Sequence, residues 1–119
     1  MESRHSLLKS FGFAFEGLKA AIAGGRNFKS QITAGLTACI LGFILRLSSS
    51  EWLDLVIIIT LVLILELVNT SIEALVDLVS PEIQEKAKLA KDAAAAAVLV
   101  TSIGSIIIGV LLFLPKLLQ

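Results

Sequence analysis

Several residue types are scarce in this chain of 119 residues, and each shortage limits what the protein can be. The single cysteine, Cys39, cannot form an internal disulfide, and its apolar surroundings predict an inert buried thiol. The single histidine, His5, has no second ligand near it, so a histidine metal site is not expected. Lys plus Arg and Asp plus Glu both number 10, so the chain has no basic footprint for nucleic acid and none is expected as a partner.

Sequence motifs of soluble nucleotide-binding enzymes are absent as well. There is no GxxxxGK[ST] loop, and the HRD and DFG elements of protein kinases are missing. Residues 1–30 interleave charged and apolar side chains, so a secretory signal peptide is not expected. Hydrophobic residues instead make up 56% of the chain, and the mean hydropathy is +0.93. A soluble domain of this size could not bury so much apolar surface, which indicates a membrane protein.

The apolar pattern predicts an all-α integral membrane protein that forms a single domain over residues 1–119. Apolar residues recur every three or four positions over residues 1–24, which predicts an amphipathic helix lying at the membrane surface. Three longer apolar stretches predict transmembrane helices at residues 28–48, 53–79 and 92–115. In the third, Gly104 and Gly109 predict a close approach to another helix.

Basic residues lie mainly before the first span and between the second and third. The positive-inside rule therefore places the N-terminus and the second connection, which we expect to be a polar loop over residues 82–91, in the cytoplasm.

Four polar side chains interrupt the second apolar stretch: Glu66, Asn69, Glu73 and Asp77. At about 100° per residue they fall within an arc of about 80°, so they form one stripe on a helix. The stripe climbs about 16 Å at 1.5 Å per residue, from within the membrane towards the cytosol. An unpaired charge in a bilayer core costs at least ~2.5 kcal/mol, so the deepest carboxylate, Glu66, is a functional candidate. Solvated carboxylates at a helix end are the simpler explanation for Asp77.

A lysine and another carboxylate, Lys91 and Asp92, are expected at the same level as the upper part of this stripe. Sites rich in oxygen and with few protein ligands suit Mg²⁺, particularly when substrate phosphates complete the shell. A lysine can hold a phosphate, and a carboxylate at the lipid boundary could accept a proton from a lipid hydroxyl. These are the parts of a phosphoryl-transfer site. The spacing alone does not distinguish an ATP site from an ion pathway.

The block Glu66-x-x-Asn69-Thr-x-x-Glu73-x-x-x-Asp77, followed by Lys91-Asp92, resembles the prokaryotic diacylglycerol kinase family, which also includes undecaprenol kinases. The resemblance extends over nearly the whole chain. It implies a homotrimer of three-helix protomers with a surface helix, in the bacterial cytoplasmic (inner) membrane. The implied reaction transfers the γ-phosphate of ATP to a lipid hydroxyl with Mg²⁺, in active sites shared between neighbouring subunits on the cytoplasmic side.

The resemblance also implies roles for individual residues. Glu66 matches the general base, and Glu73 matches a metal-binding glutamate. The residues that match the nucleotide and phosphate side of the site are Asn69, Asp77, Lys91, Asp92, Glu16 and Lys9.

Two departures from the family pattern bear on the acceptor lipid. A metal-linked glutamate of the diacylglycerol-specific branch corresponds here to Gln31, which can offer a carbonyl oxygen to a metal but no charge. A tyrosine near the nucleotide base corresponds to Phe13. Both favour undecaprenol over diacylglycerol as the acceptor. Two other functions remain open: a proton or cation transporter using the buried carboxylates, and a non-catalytic assembly factor in which the stripe fixes helix register.

Overall fold

The computed structural model describes residues 6–24 and 27–119, which form four helices and no strand. The helices are α1 (Leu7–Gly24), α2 (Phe28–Leu45), α3 (Ser49–Val79) and α4 (Glu85–Leu117). The last three are each long and apolar enough to cross a membrane. The prediction of an all-α fold with three such helices is therefore confirmed. Residues 1–5 of the predicted surface helix, His5 among them, lie outside the described residues.

The turn after α2 is closed by a left-handed residue that is not glycine. Arg46 has φ 59°, and the N–H of Leu47 donates to the carbonyl oxygen of Gly42 at 3.1 Å. This hydrogen bond spans five residues and is typical of a helix that ends in a Schellman turn. The helix therefore ends at Leu45, three residues before the predicted end of the first span at residue 48.

The next helix begins immediately with a capping box. Oγ of Ser48 accepts a hydrogen bond from the N–H of Glu51 at 3.3 Å, and Oε1 of Glu51 accepts one from the N–H of Ser48 at 2.9 Å. These two bonds satisfy backbone donors that a helix start leaves open. They let α3 begin at Ser49, four residues before the predicted span at 53.

Proline determines where α3 ends. Pro81 disfavours helical backbone at the residue before it, and Ser80 is non-helical with φ −136° and ψ 80°. The helix ends at Val79, as the sequence predicts. α4 then begins at Glu85, so most of the segment 82–91 expected to be a loop is helical. Its charged residues are compatible with a helix that projects beyond the apolar layer.

Helices α3 and α4 form an antiparallel hairpin that has an ion pair at each end. Nζ of Lys91 lies 2.6 Å from Oδ1 of Asp77 near the connection, and Nζ of Lys116 lies 3.1 Å from Oε1 of Glu51 at the opposite end. Helix α2 packs against both members of this hairpin, and α1 contacts α2 and α3. The stripe therefore occupies the end of the bundle nearest the α3–α4 connection.

The apolar core lies in the other half of the bundle. It consists of buried side chains from the α2–α3 turn, α3 and α4: Leu47, Leu55, Ile58, Leu112 and Phe113. Many large apolar side chains on the outer faces stay exposed, Phe43 and Leu111 among them. Soluble monomers rarely expose apolar surface on this scale, so lipid or other protein is expected to cover it.

Only some of the glycines allow a close approach of helices. A Cβ at Gly42 would lie 2.9 Å from both Cδ1 of Leu47 and Cη2 of Trp52, so this position has no room for a side chain. Around Gly104 and Gly109, by contrast, no described atom lies within 4 Å of such a Cβ. The close approach predicted at these two glycines is therefore not seen among the described residues of the protomer. It occurs instead at Gly42 and at Gly35, where an added Cβ would lie 3.1 Å from Cγ2 of Ile59 in α3.

Candidate active site

The polar stripe of α3 runs from a buried carboxyl group to an exposed one. Glu66 is only 3% exposed, and it is the single buried charged residue among those described. Asn69, one turn later, is half-buried, whereas Glu73 and Asp77 are exposed. The regular spacing of these residues keeps them on one face of the helix, so burial decreases steadily along the stripe.

Two oxygen atoms at the buried end have no hydrogen-bond partner. Among the residues that the structure describes, these atoms are Oε2 of Glu66 and Oδ1 of Asn69. Buried polar atoms are normally paired, because an unpaired one costs about 1–3 kcal/mol. Two unpaired acceptors one helical turn apart can therefore receive a hydroxyl donor or a cation without displacing an existing partner.

A side chain from each of the other spanning helices approaches the buried carboxyl region. Nε2 of Gln31 in α2 donates a hydrogen bond to Oγ of Ser102 in α4 at 3.2 Å. The Gln31 side chain also lies close enough to the carboxyl group of Glu66 to interact with it. Gln31 is thus near the site, as the sequence predicts. Ser102 is not predicted, because its position next to Gln31 depends on how α2 and α4 face each other.

Charged groups link the middle of the stripe to its exposed end. Glu73 is close enough to interact electrostatically with both Glu66 and Lys91. Lys91 donates to Oδ1 of Asp77 at 2.6 Å, and Lys88 donates to Oδ2 of Asp92 at 2.6 Å. The predicted proximity of Lys91 to the upper part of the stripe is thus observed, with Asp77 as its direct partner.

A cavity of about 240 Å³ adjoins this exposed end. It lies between the end of α3, the connection and the first turns of α4, and Asp77, Lys91 and Asp92 line it together with Lys88. Glu82 lines it as well, so two lysines and three acidic residues surround a space next to the stripe. An anionic group could be held there by the lysines as point charges.

The two predicted site residues of the surface helix are not joined to the stripe within the described chain. Lys9 and Glu16 are both exposed on α1, and neither belongs to an ion pair found among residues 6–24 and 27–119. α1 faces α3 across a cavity of about 530 Å³, lined by Gly17 and Thr70 among others. The structure therefore brings α1 to the flank of the stripe, while these two side chains point to its exposed surface.

The oxygen atoms of the stripe suit a hard cation that takes most of its ligands from water and substrate. Among the described residues, no three Asp, Glu, His or Cys side chains converge on a point that could hold a metal. The unpaired oxygens of Glu66 and Asn69, with Glu73 nearby, are carboxylate and amide oxygens, which Mg²⁺ accepts. Because Mg²⁺ usually takes one or two protein carboxylates plus water and phosphate oxygens, these residues fit it as a partial set.

The fold and the site together describe a helical membrane protein with an ionisable site that reaches from a buried carboxyl to the surface. A family model described as prokaryotic diacylglycerol kinase matches residues 12–113. The chain belongs to this family, which is a family of membrane lipid kinases, and the predicted enzyme class is therefore confirmed.

Individual relatives agree with the family assignment. The chain is 44% identical to an undecaprenol kinase of Bacillus subtilis over 109 residues, which are 92% of this chain and 89% of that protein. It is 41% identical to a diacylglycerol kinase of Synechocystis, over 96% of this chain and 66% of that protein. With a diacylglycerol kinase of Escherichia coli it shares 33% identity, over 85% of this chain and 83% of that protein. All three relatives are named as kinases, and none of them as a transporter.

Proposed function

We propose that this protein transfers the γ-phosphate of ATP to the hydroxyl group of a membrane lipid, with Mg²⁺, and that the acceptor is undecaprenol in preference to diacylglycerol. The observation that carries the reaction is the buried carboxyl of Glu66, whose Oε2 has no hydrogen-bond partner among the described residues. The preference for undecaprenol is supported by the 44% identity to a protein named undecaprenol kinase, against 33–41% for two named diacylglycerol kinases.

Glu66 acts as the general base in this proposal. Its Oε2 accepts the proton of the lipid hydroxyl while the hydroxyl oxygen bonds to the γ-phosphorus. The bond from that phosphorus to the β,γ-bridging oxygen breaks, and ADP leaves with the electron pair. Burial supports this role because a lipid hydroxyl lies near the apolar layer, where Glu66 is the deepest residue of the stripe. A positioned general base contributes about 10²–10⁴-fold to a rate.

The exposed end of the stripe would hold the nucleotide. Lys91 would hold a phosphate as a point charge, with Asp77 fixing its position through their 2.6 Å contact. Asp92 lines the same cavity, and Asn69 connects this end to Glu66. Lys9 and Glu16 would approach the nucleotide from α1, which contacts α3.

Glu73 is the proposed principal metal ligand, and Oδ1 of Asn69 and Oε1 of Gln31 would be the neutral oxygens near it. Mg²⁺ bound there would neutralise charge on the phosphate oxygens. Glu73 interacts electrostatically with both Glu66 and Lys91, so a cation beside it would also reduce repulsion between the two glutamates.

A homotrimer in the bacterial cytoplasmic membrane, with the stripe at its cytoplasmic side, completes the proposal. One protomer does not bring three acidic, histidine or cysteine side chains together within its described residues, and a neighbouring subunit could supply further groups. Exposed apolar side chains on the outer faces of α2 and α4 are available for contacts with lipid and with other copies.

The test is a lipid-labelling assay with purified protein in liposomes. ATP labelled at the γ-phosphate and Mg²⁺ are supplied, with undecaprenol and diacylglycerol present side by side. We expect label in undecaprenol at the higher rate, and a loss of at least about 100-fold in kcat for Glu66→Gln. Equal or greater labelling of diacylglycerol would overturn the acceptor, and full activity of Glu66→Gln would overturn the base.

A matched control lies on the same helix. Asp54→Asn makes the same acid-to-amide change at an exposed position near the opposite end of α3, and should leave kcat unchanged. Ion flux without ATP would support a transporter instead. A change in oligomer size for Glu66→Gln, with no lipid labelling by either form, would support an assembly factor.

A further inference from the structure

We infer that Gln31 and Ser102 are positioning residues for Glu66: Ser102 fixes the Gln31 amide, and the amide holds the Glu66 carboxyl so that Oε2 faces the acceptor hydroxyl. The three side chains come from three different helices, α2, α3 and α4. This inference rests on the proposed role of Glu66 as the base, and it gives Nε2 of Gln31 a function in addition to the metal contact proposed for Oε1.

The chemistry of an amide explains why one side chain can serve both neighbours. The NH₂ group of glutamine carries two hydrogens, so it can donate to a hydroxyl and to a carboxyl at the same time. In the structure, Nε2 of Gln31 donates to Oγ of Ser102 at 3.2 Å, and the same side chain interacts with the Glu66 carboxyl. An ionised glutamate at position 31 would have no donor for either neighbour and would place a second charge beside Glu66.

The space beside Gln31 explains why its amide needs the hydrogen bond to Ser102. Gln31 also borders a cavity of about 170 Å³, which is lined mainly by apolar side chains of α2, α3 and α4 and not by Glu66. An amide without a partner in α4 could turn towards this space. The hydrogen bond to Ser102 opposes that rotation, and in an apolar layer no water competes for it.

Oε2 of Glu66 is the carboxyl oxygen that this arrangement leaves available to the acceptor hydroxyl. Glu66 is held among three helices at 3% exposure, and yet its Oε2 has no partner among the described residues. A carboxyl that is restrained by one neighbour and open at one oxygen has the arrangement that a base needs before substrate arrives. Displacing a reacting group by about 1 Å can cost about 100-fold in rate, so restraint of this carboxyl should affect kcat.

The test compares four variants of the two residues by steady-state kinetics on folded protein in liposomes. Gln31→Met keeps the length of the side chain and removes its donors, and kcat should fall about 10–100-fold with KM for ATP unchanged. Ser102→Ala should lower kcat about fivefold, the factor that one neutral hydrogen bond corresponds to. Ser102→Thr restores the hydroxyl and should recover most of the rate.

The fourth variant, Gln31→Glu, separates positioning from metal binding. It keeps an oxygen for a metal and adds a charge, so a metal-binding role predicts half-maximal activity at a lower Mg²⁺ concentration. The positioning role predicts a fall in kcat like that of Gln31→Met, whether or not Mg²⁺ affinity rises. A gain in Mg²⁺ affinity with kcat retained would overturn the inference.

Ser105→Ala is the matched control. Ser105 lies one turn further along α4, and its hydroxyl donates to the carbonyl oxygen of Ser102 in its own helix at 2.7 Å, not to another helix. We expect its kcat to be that of the unmodified protein. If Ser102→Ala and Ser105→Ala have equal kcat values, or if the Ser102 and Gln31 variants lose only thermal stability, the positioning role is wrong.

Failure of this inference can be told apart from failure of the proposed function. Full activity of the Gln31 and Ser102 variants beside an inactive Glu66→Gln removes only the positioning role. Full activity of Glu66→Gln removes the base itself, and the positioning role with it.

Discussion

Nζ of Lys91 lies 2.6 Å from Oδ1 of Asp77, and this contact joins the last turns of α3 to the first turns of α4. The side chains remain 40% and 66% exposed, so the ion pair is largely solvated. Exposed ion pairs contribute about 0–1 kcal/mol to stability. The Lys91–Asp77 ion pair is therefore expected mainly to fix the position of Lys91 beside the neighbouring cavity.

Replacing Lys91 with Gln tests that expectation. We expect KM for ATP to rise at least about tenfold, because a phosphate loses a charged partner, while Tm changes by no more than a few degrees. Lys86→Gln is the control: it neutralises an exposed lysine in the first turn of the same helix, α4, and should leave KM for ATP unchanged. A large fall in Tm with an unchanged KM would make Lys91 a structural residue only.

Glu66 is expected to make the protein less stable than an apolar residue at the same position would. A buried carboxyl with an unpaired oxygen is costly, and methionine has a similar length without polar oxygens. We expect Glu66→Met to raise the free energy of unfolding by about 1–2 kcal/mol while abolishing lipid phosphorylation. Unfolding in mixed micelles measures the first effect.

Glu82→Met is the comparison for this change, because Glu82 is exposed in the connection and its replacement should alter stability by less than about 0.5 kcal/mol. A destabilised Glu66→Met protein would mean that the carboxyl has stabilising partners in the assembled enzyme.

Gly42 should not tolerate even a methyl group. The added Cβ would lie 2.9 Å from Leu47 and from Trp52, whose ring also stacks at a tilt on Phe43 with 4.8 Å between centroids. We expect Gly42→Ala to lower the free energy of unfolding by about 1–3 kcal/mol. The effect should appear in Tm rather than in KM for ATP.

Gly104→Ala makes the same change where no described atom of the protomer lies within 4 Å. Alanine is the better helix former by up to about 1 kcal/mol, so this variant should be as stable as the unmodified protein or more so. A loss of stability here would show that another copy packs against Gly104.

The ion pair at the other end of the hairpin should affect stability without affecting catalysis. Lys116 and Glu51 are only 22% and 29% exposed, and Glu51 also completes the capping box of α3. Lys116→Gln should lower the free energy of unfolding by about 0.5–1 kcal/mol, since only the ion pair is lost. Glu51→Gln also weakens the cap, and should cost more. A change in kcat for Lys116→Gln would contradict this separation of the two ends.

Much of the molecule follows from local sequence signals. Pro81 predicts the end of α3 at Val79, and the spacing of the stripe residues predicts their common face with Glu66 deepest. The predicted loop over residues 82–91 is wrong for most of its length, because α4 begins at Glu85 and a helix can carry charged residues outside an apolar layer. The neighbours of Glu66 were harder to predict, because periodicity within a helix does not specify how one helix is rotated against another. Ser102 reaches Gln31 only through that rotation.

The length of α3 makes the depth of Glu66 depend on the thickness of the bilayer. Glu66 stands about 21 Å from Trp52 along the helix axis, and Glu73 about 31 Å, at 1.5 Å per residue. If Trp52 rests at one boundary of a ~30 Å hydrocarbon layer, Glu73 meets the other boundary and Glu66 lies about 9 Å beneath it. A bilayer thinner by 4 Å would bring the Glu66 carboxyl closer to water by almost half of that distance. The depth at which an acceptor hydroxyl would meet Glu66 is therefore set jointly by this helix and by the surrounding lipids.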